Sequence, residues 1–246
     1  MSQSSLIHNT LAPLRNVVSF MTMVDRLQHR SSGLPGMGCF YGPSGFGKSM
    51  AGIYCANQLD AVLVQCESVW SQKALCEAII RELGLTPERV VYRMVAQIQQ
   101  ALAVRNAPLI IDEADFLVKK KMVEVLRDIY EKSFVPVILI GEEALPSKLR
   151  EWERINSRML ERVAAQPIDD NDFDALARIR APKIVLGDAL KASIKQASQG
   201  SARLIVNNLD TVRIEAQRRG LSAIDLADLK GDRLHDGKPP QMRRFG

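Results

Sequence analysis

Gly42-Pro43-Ser44-Gly45-Phe46-Gly47-Lys48-Ser49 fits the pattern G-x-x-x-x-G-K-[ST] and decides the reading of the whole chain. Small residues let a backbone wrap around an anion and aim its N–H groups at it. A lysine at the seventh position reaches β- and γ-phosphates, and the hydroxyl at the eighth can hold Mg²⁺. The flanks agree. Gly38-Cys39-Phe40-Tyr41 reads as a short apolar strand entering the loop, and Ser49 to Leu59 as a helix whose N-terminus faces the anion. All eight residues, Gly42 through Ser49, are therefore candidate nucleotide contacts, with ATP and Mg²⁺ as the expected ligands.

A second stretch supplies the acids that a phosphate site needs. Leu109-Ile110-Ile111 is an apolar run ending in Asp112-Glu113, the pattern of a buried parallel strand with acids at its carboxyl end. Asp112 is placed to hold Mg²⁺, and Glu113 to orient and deprotonate an attacking water. Two acids of this kind point to hydrolysis and against a small-molecule kinase, which has no use for the glutamate.

Outward from these motifs the chain alternates strands and helices. Strands are expected at 61–66 and 135–140. Helices are expected from Ser71 to Leu83, from the Thr86-Pro87-Glu88 start to Arg105, and from Met122 to Lys132. Alternation of this kind predicts an α/β fold, a parallel sheet with helices on both faces. After Pro167 no strand pattern remains. Asp172–Ile179, Asp188–Ala197, Ala202–Arg219 and Ala223–Leu229 read as short helices separated by glycines, a small all-α lid. The expected organisation is an N-terminal helical segment (1–35), the αβ ATPase domain (36–168), the lid (169–230) and a mobile basic tail (231–246) carrying Pro239-Pro240 and Arg243-Arg244.

Composition narrows the setting. The 246 residues are 46% hydrophobic and 25% charged, ordinary values for a globular chain with a sizeable core. There is no apolar run long enough for a membrane span, and the first 20 residues lack the pattern of a signal peptide. Cys39, Cys55, Cys66 and Cys76 have no metal-ligand spacing and read as reduced, buried thiols of a cytoplasmic protein. The net charge of +5 permits nucleic-acid binding without requiring it.

Strand, phosphate loop, Asp-Glu strand and helical lid together resemble an AAA+ ATPase. The block Ile110 to Leu117, with Leu126-Arg127-Asp128-Ile129-Tyr130 and Val135 to Glu143, is similar to the DNA-transposition ATPases, the family of the phage Mu B transposition protein and transposon target-selection ATPases. The resemblance runs over roughly residues 10–230, and only about 35 residues precede the first strand. It implies that Lys48, Ser49, Asp112 and Glu113 take the phosphate, metal, metal and water roles. It implies that Arg203, in Gly200-Ser201-Ala202-Arg203, reaches the γ-phosphate from the lid, where bidentate hydrogen bonding suits an arginine. It further implies an arginine acting in trans near the end of the ATPase domain: Arg158, with Arg154 and Arg162 as rivals. One departure stands out. The family puts a neutral polar residue after the strand ending near Ile140; here the chain reads Gly141-Glu142-Glu143, and either glutamate or neither fills that place.

The DNA contacts expected from charge are Lys119, Lys120 and Lys121; the resemblance implies a further contact at Lys73, near Trp70, which itself reads as a packing residue. No base-reading motif is present, so contacts should be to phosphates and indifferent to sequence. The resulting expectation is an ATPase that assembles as a ring or helical filament on duplex DNA and delivers it to a transposase. The alternative is a helicase-loader or chaperone-type ATPase whose main partner is a protein.

Overall fold

The computed structural model describes residues 14–229 and 234–238. They fall into two compact units, Asn16–Ala165 and a second one formed by Gln166–Gly246 with the segment up to Arg15.

The first unit is built on five parallel strands: β1 (Met37–Tyr41), β2 (Val62–Gln65), β3 (Leu109–Asp112), β4 (Val137–Gly141) and β5 (Met159–Ala164), in the order β2-β3-β4-β1-β5. β3 and β4 are buried along their whole length, and β1 along all but its last residue. That burial is why these runs are apolar rather than alternating: helices cover both faces. The connecting helices are α1 (Arg15–Gln28), α2 (Lys48–Leu59), α3 (Gln72–Glu82), α4 (Val91–Arg105), α5 (Asp115–Lys119), α6 (Glu124–Ser133), α7 (Leu145–Arg150) and α8 (Glu153–Asn156). β4 lies between β1 and β3, pairing Tyr41 with Gly141 and Ile111 with Leu139. The loops leaving β1, β4 and β3 therefore open side by side, at the strand ends where ligands bind in such sheets.

Three details depart from the sequence reading. β5 is a strand that the pattern does not announce, since it carries Glu161 and Arg162. It is an edge strand, with only its first residue fully buried, so charge is tolerated there; Glu161 faces Arg26 of α1 at 3.2 Å. α4 starts at Val91 rather than at Thr86. The Gln97 side chain donates to the Thr86 carbonyl (2.9 Å) and accepts from the Glu88 N–H (3.3 Å), holding the expected first turn outside the helix. A short helix, α5, also forms between β3 and the lysine cluster and takes in Lys119.

The second unit packs α9 (Asp170–Arg180), α10 (Asp188–Ser198) and α11 (Ala202–Arg219) around Phe173, Leu190, Ile194, Ile205, Leu209 and Val212. The helix expected over Ala223–Leu229 does not form. β6 (Val185–Leu186) and β7 (Ala223–Ile224) make a two-residue parallel ladder, followed by a 3₁₀ turn at Leu226–Asp228. Asp225 is the cause: one carboxylate oxygen accepts the N–H of Leu226 (2.8 Å) and that of Leu190 (3.0 Å), while Asp228 accepts the Asp225 N–H (2.9 Å). A side chain capping two helical starts stops a helix from running through it. In the segment expected as a tail, His235 exchanges two hydrogen bonds with buried Asn208. Pro239, Pro240, Arg243 and Arg244 lie outside the described residues.

Candidate nucleotide site

The phosphate loop follows β1 directly. Gly45 and Gly47 hold φ of 84° and 81°, a left-handed backbone that a side chain would resist, and Gly47 caps the N-terminus of α2. Lys48 begins the helix and donates from Nζ to the carbonyls of Gly42 and Pro43, each at 2.8 Å. Burial lowers its pKa, opposed by the charges of Asp112, Glu113, Glu142 and Asp115. Ser49 follows on the first turn; Pro43, Ser44 and Phe46 complete the loop. One supporting residue escaped the sequence reading. Asn16 of α1, 4% exposed, donates from Nδ2 to the Phe46 carbonyl at 2.9 Å and supports the loop from behind. A buried asparagine on an amphipathic helix was the available signal.

At the end of β3, Asp112 is 5% exposed and its Oδ1 accepts the Glu113 N–H at 2.9 Å. Glu113 sits at φ 56°, a left-handed conformation that costs a non-glycine residue about 1–2 kcal/mol. The kink turns the chain from β3 toward α5 immediately after Asp112. The pKa of Glu113 is raised, first by burial and then by the Asp112 charge, while Lys48 pulls it down. A half-buried carboxylate with a raised pKa is suited to take a proton from water.

Glu142 and Glu143 follow Gly141 in the loop after β4. Both are exposed, but Glu142 is the one whose charge reaches Lys48 and Glu113. Its backbone N–H donates to Asp115 Oδ2 at 2.7 Å. The other oxygen of Asp115 accepts from Lys148 Nζ at 2.7 Å. That hydrogen bond, outweighing the opposite effect of burial, holds the Lys148 ammonium above its usual range.

The donors fit Mg²⁺. A serine hydroxyl and one carboxylate are hard oxygen ligands, and magnesium in such sites takes its remaining partners from water and substrate phosphates. No group of three or more His, Cys, Asp or Glu side chains gathers as a metal cage among the described residues.

Other candidates lie further out. Lys119 ends α5, and Lys120 and Lys121 follow it; all three are exposed. Lys120 Nζ donates to the Trp70 carbonyl at 2.9 Å and so ties the loop after β3 to the loop after β2. Trp70 itself packs against the core, and Lys73 sits 3.8 Å from Glu77. Arg158 gives Nε to Glu131 at 2.5 Å and Nη1 to the Ser157 hydroxyl. Arg162, on β5, is half-buried and bonded to Asn156 (2.6 Å), whereas Arg154 is exposed on α8. Arg203 occupies the first turn of α11, exposed, behind the N-cap Ser201 in the second unit.

A sequence profile of the AAA domain matches residues 31–149, from just before β1 into α7. The chain has the fold of an AAA+ ATPase. Its backbone is similar to that of the Aeropyrum pernix Orc1 protein, solved in complex with DNA (16% identity, TM-score 0.62, covering 90% of this chain and 65% of that one). It is also similar to Cdc6p from Pyrobaculum aerophilum (16% identity, TM-score 0.63, covering 87% and 65%). The chain thus spans about two thirds of the length of either. No curated protein sequence matches it. The matched stretch takes in the phosphate loop, the Asp112-Glu113 pair and β4. No helix among the described residues is long and apolar enough to cross a membrane.

Proposed function

We propose that this AAA+ ATPase binds duplex DNA without regard to sequence, assembles on it with ATP, and delivers it as target to a transposase. The observation that carries the proposal is the exposed group Lys119–Lys121, tied through Lys120 to the loop that precedes Lys73, one short helix beyond the hydrolytic acids. Lysines set this close to Asp112 and Glu113 give the hydrolytic state a short path to the DNA grip. The resemblance of the sequence block 108–145 to the transposition ATPases supports a transposase as the partner.

In this reading Lys48 neutralises phosphate charge, Ser49 and Asp112 hold Mg²⁺, and Glu113 takes the proton of the attacking water. The metal, when bound, screens the phosphate oxygens against the surrounding carboxylates. Arg203 reports the γ-phosphate to the lid unit. Arg158 acts on the nucleotide of a neighbouring subunit, with Glu131 holding its guanidinium by Nε.

Electron microscopy of the protein with duplex DNA and a slowly hydrolysed ATP analogue tests the proposal. Filaments or rings on DNA are expected, and bare DNA would overturn it. Exposed Leu85, Val90 and Tyr92 at the start of α4 favour a second reading, a helicase-loader or chaperone-type ATPase with a protein partner. That reading predicts no DNA assembly.

A further inference from the structure

We propose that Asp115 is a positioning residue for hydrolysis, fastening the loop after β4 to the strand end that bears Glu113, with Lys148 as its counterion. The inference rests on the ATPase activity and not on the DNA partner.

Three observations meet at this carboxylate. Its side chain is only 11% exposed, and both oxygens are engaged, Oδ2 by the Glu142 N–H and Oδ1 by Lys148. A carboxylate so enclosed needs both partners, because an unpaired buried charge is costly. Next, it takes the space of a missing side chain. A Cβ built on Gly141 would collide with Asp115 Oδ2 and lie 2.5 Å from Leu145 Cδ2. The chain has no side chain at the end of β4 and brings an oxygen there from the β3 side instead. Finally, the fastening belongs to a series. The Gly42 N–H donates to the Gly141 carbonyl (3.3 Å), the Ala114 N–H to the Ile140 carbonyl (2.9 Å), and the Glu142 N–H to Asp115. Residues 140–142 are thereby held between the phosphate loop and the hydrolytic acids.

The consequence concerns Glu142 and Glu113 together. Glu142 sits close enough for its charge to act on Lys48, Glu113 and Lys148. If its loop drifts, a mobile carboxylate enters the space where water must approach Glu113. Lys148 opposes this twice. It pins Asp115, and it offsets part of the negative charge that Asp112, Glu113, Asp115 and Glu142 bring to one phosphate site. Sequence separation hid the arrangement, since Asp115 and Lys148 lie 33 positions apart.

The test measures ATP turnover, ATP affinity and thermal unfolding for wild type, Asp115→Ala, Asp115→Asn, Lys148→Met and Lys148→Arg, with Glu113→Gln as reference. Misplaced catalytic geometry costs on the order of 10²-fold, so kcat should fall by about that much in Asp115→Ala while KM stays within about threefold. Asp115→Asn keeps an acceptor for the Glu142 N–H and should recover part of the loss. Lys148→Met should fall about 10-fold, and Lys148→Arg should recover at least half of that on a logarithmic scale. A merely structural role would lower thermal stability but leave the kcat of the folded fraction intact. Asp115→Ala within twofold of wild-type kcat, or an affinity loss matching the turnover loss, overturns the proposal. Should Asp115→Ala not fold, Lys148→Met at wild-type turnover overturns it equally. A wild-type protein without ATP turnover would instead remove the ATPase reading beneath it.

Discussion

The ends of β1 and β3 lie on either side of β4, yet they solve opposite problems. At β1 the chain places glycines, a helix start and one lysine, all donors to an anion. At β3 it places carboxylates, with Glu113 forced into a left-handed turn that glycine would have taken without strain. In the proposed function the first end holds phosphate and the second changes it. Holding and hydrolysing should therefore fail separately.

The largest effect is expected at β1. Lys48→Ala removes the main side-chain counterion of the phosphates, so ATP binding should be lost or turnover abolished. Calorimetry showing unchanged affinity with full turnover would erase the contrast between the two ends. Next comes Arg158, proposed to act from outside on the nucleotide of a neighbour. Arginine fingers contribute on the order of 10³-fold or more, so Arg158→Ala should lose the rise of turnover with protein concentration but still bind nucleotide. Mixed with Lys48→Ala subunits it should regain activity, since one partner keeps the loop and the other the arginine. If co-assembled mixtures stay inactive, exposed Arg154 becomes the better candidate. Arg162, bonded to Asn156, is the poorer one.

Glu113→Gln sharpens the comparison most directly. Turnover should drop by about 10²-fold or more with ATP affinity kept, as for a lost general base. Glu113→Gly should be equally slow yet unfold at no lower temperature, because relief of the left-handed strain is worth about 1 kcal/mol. Equal thermal loss in both variants would show that the turn at 113 is not strained. The smallest effect belongs to the lysines beyond β3. Replacing Lys119, Lys120 and Lys121 with alanine should flatten the dependence of DNA affinity on salt, by about 0.9 in log–log slope for each phosphate no longer neutralised. An unchanged slope would put the DNA-binding surface elsewhere and separate the β3 end from any DNA role.

What the sequence made legible follows the same division. Phosphate chemistry dictates residue type at fixed spacing, so Gly42–Ser49 and Asp112-Glu113 could be read directly. Strands buried on both faces announce themselves as apolar runs, and β1, β3 and β4 did; β2, at the opposite edge, was legible from Val62-Leu63-Val64. β5 did not, because an edge strand tolerates Glu161 and Arg162. The start of α4 was misplaced because the Gln97 side chain, 9 and 11 positions along, competes for the backbone of Glu88 and Thr86. Asn16, Asp115 and Lys148 were invisible as site residues since each acts across 27 or more positions on a backbone group or a charge, and such pairings leave no local spacing.

The four cysteines sit in β1, in α2, just past β2 and in α3; all are buried and unpaired. Burial pushes the thiols of Cys39, Cys55 and Cys66 up to about 12 and that of Cys76 to about 11. Thiolates are the reactive species, so alkylating reagents should find nothing to attack while the sheet is closed. The sequence has no other cysteine, and all four belong to the unit that carries the nucleotide loop. Alkylation rate is then a native clock for the opening of that unit alone. Timed with and without ATP, it reads how firmly the nucleotide clamps the sheet, with no label added to the protein.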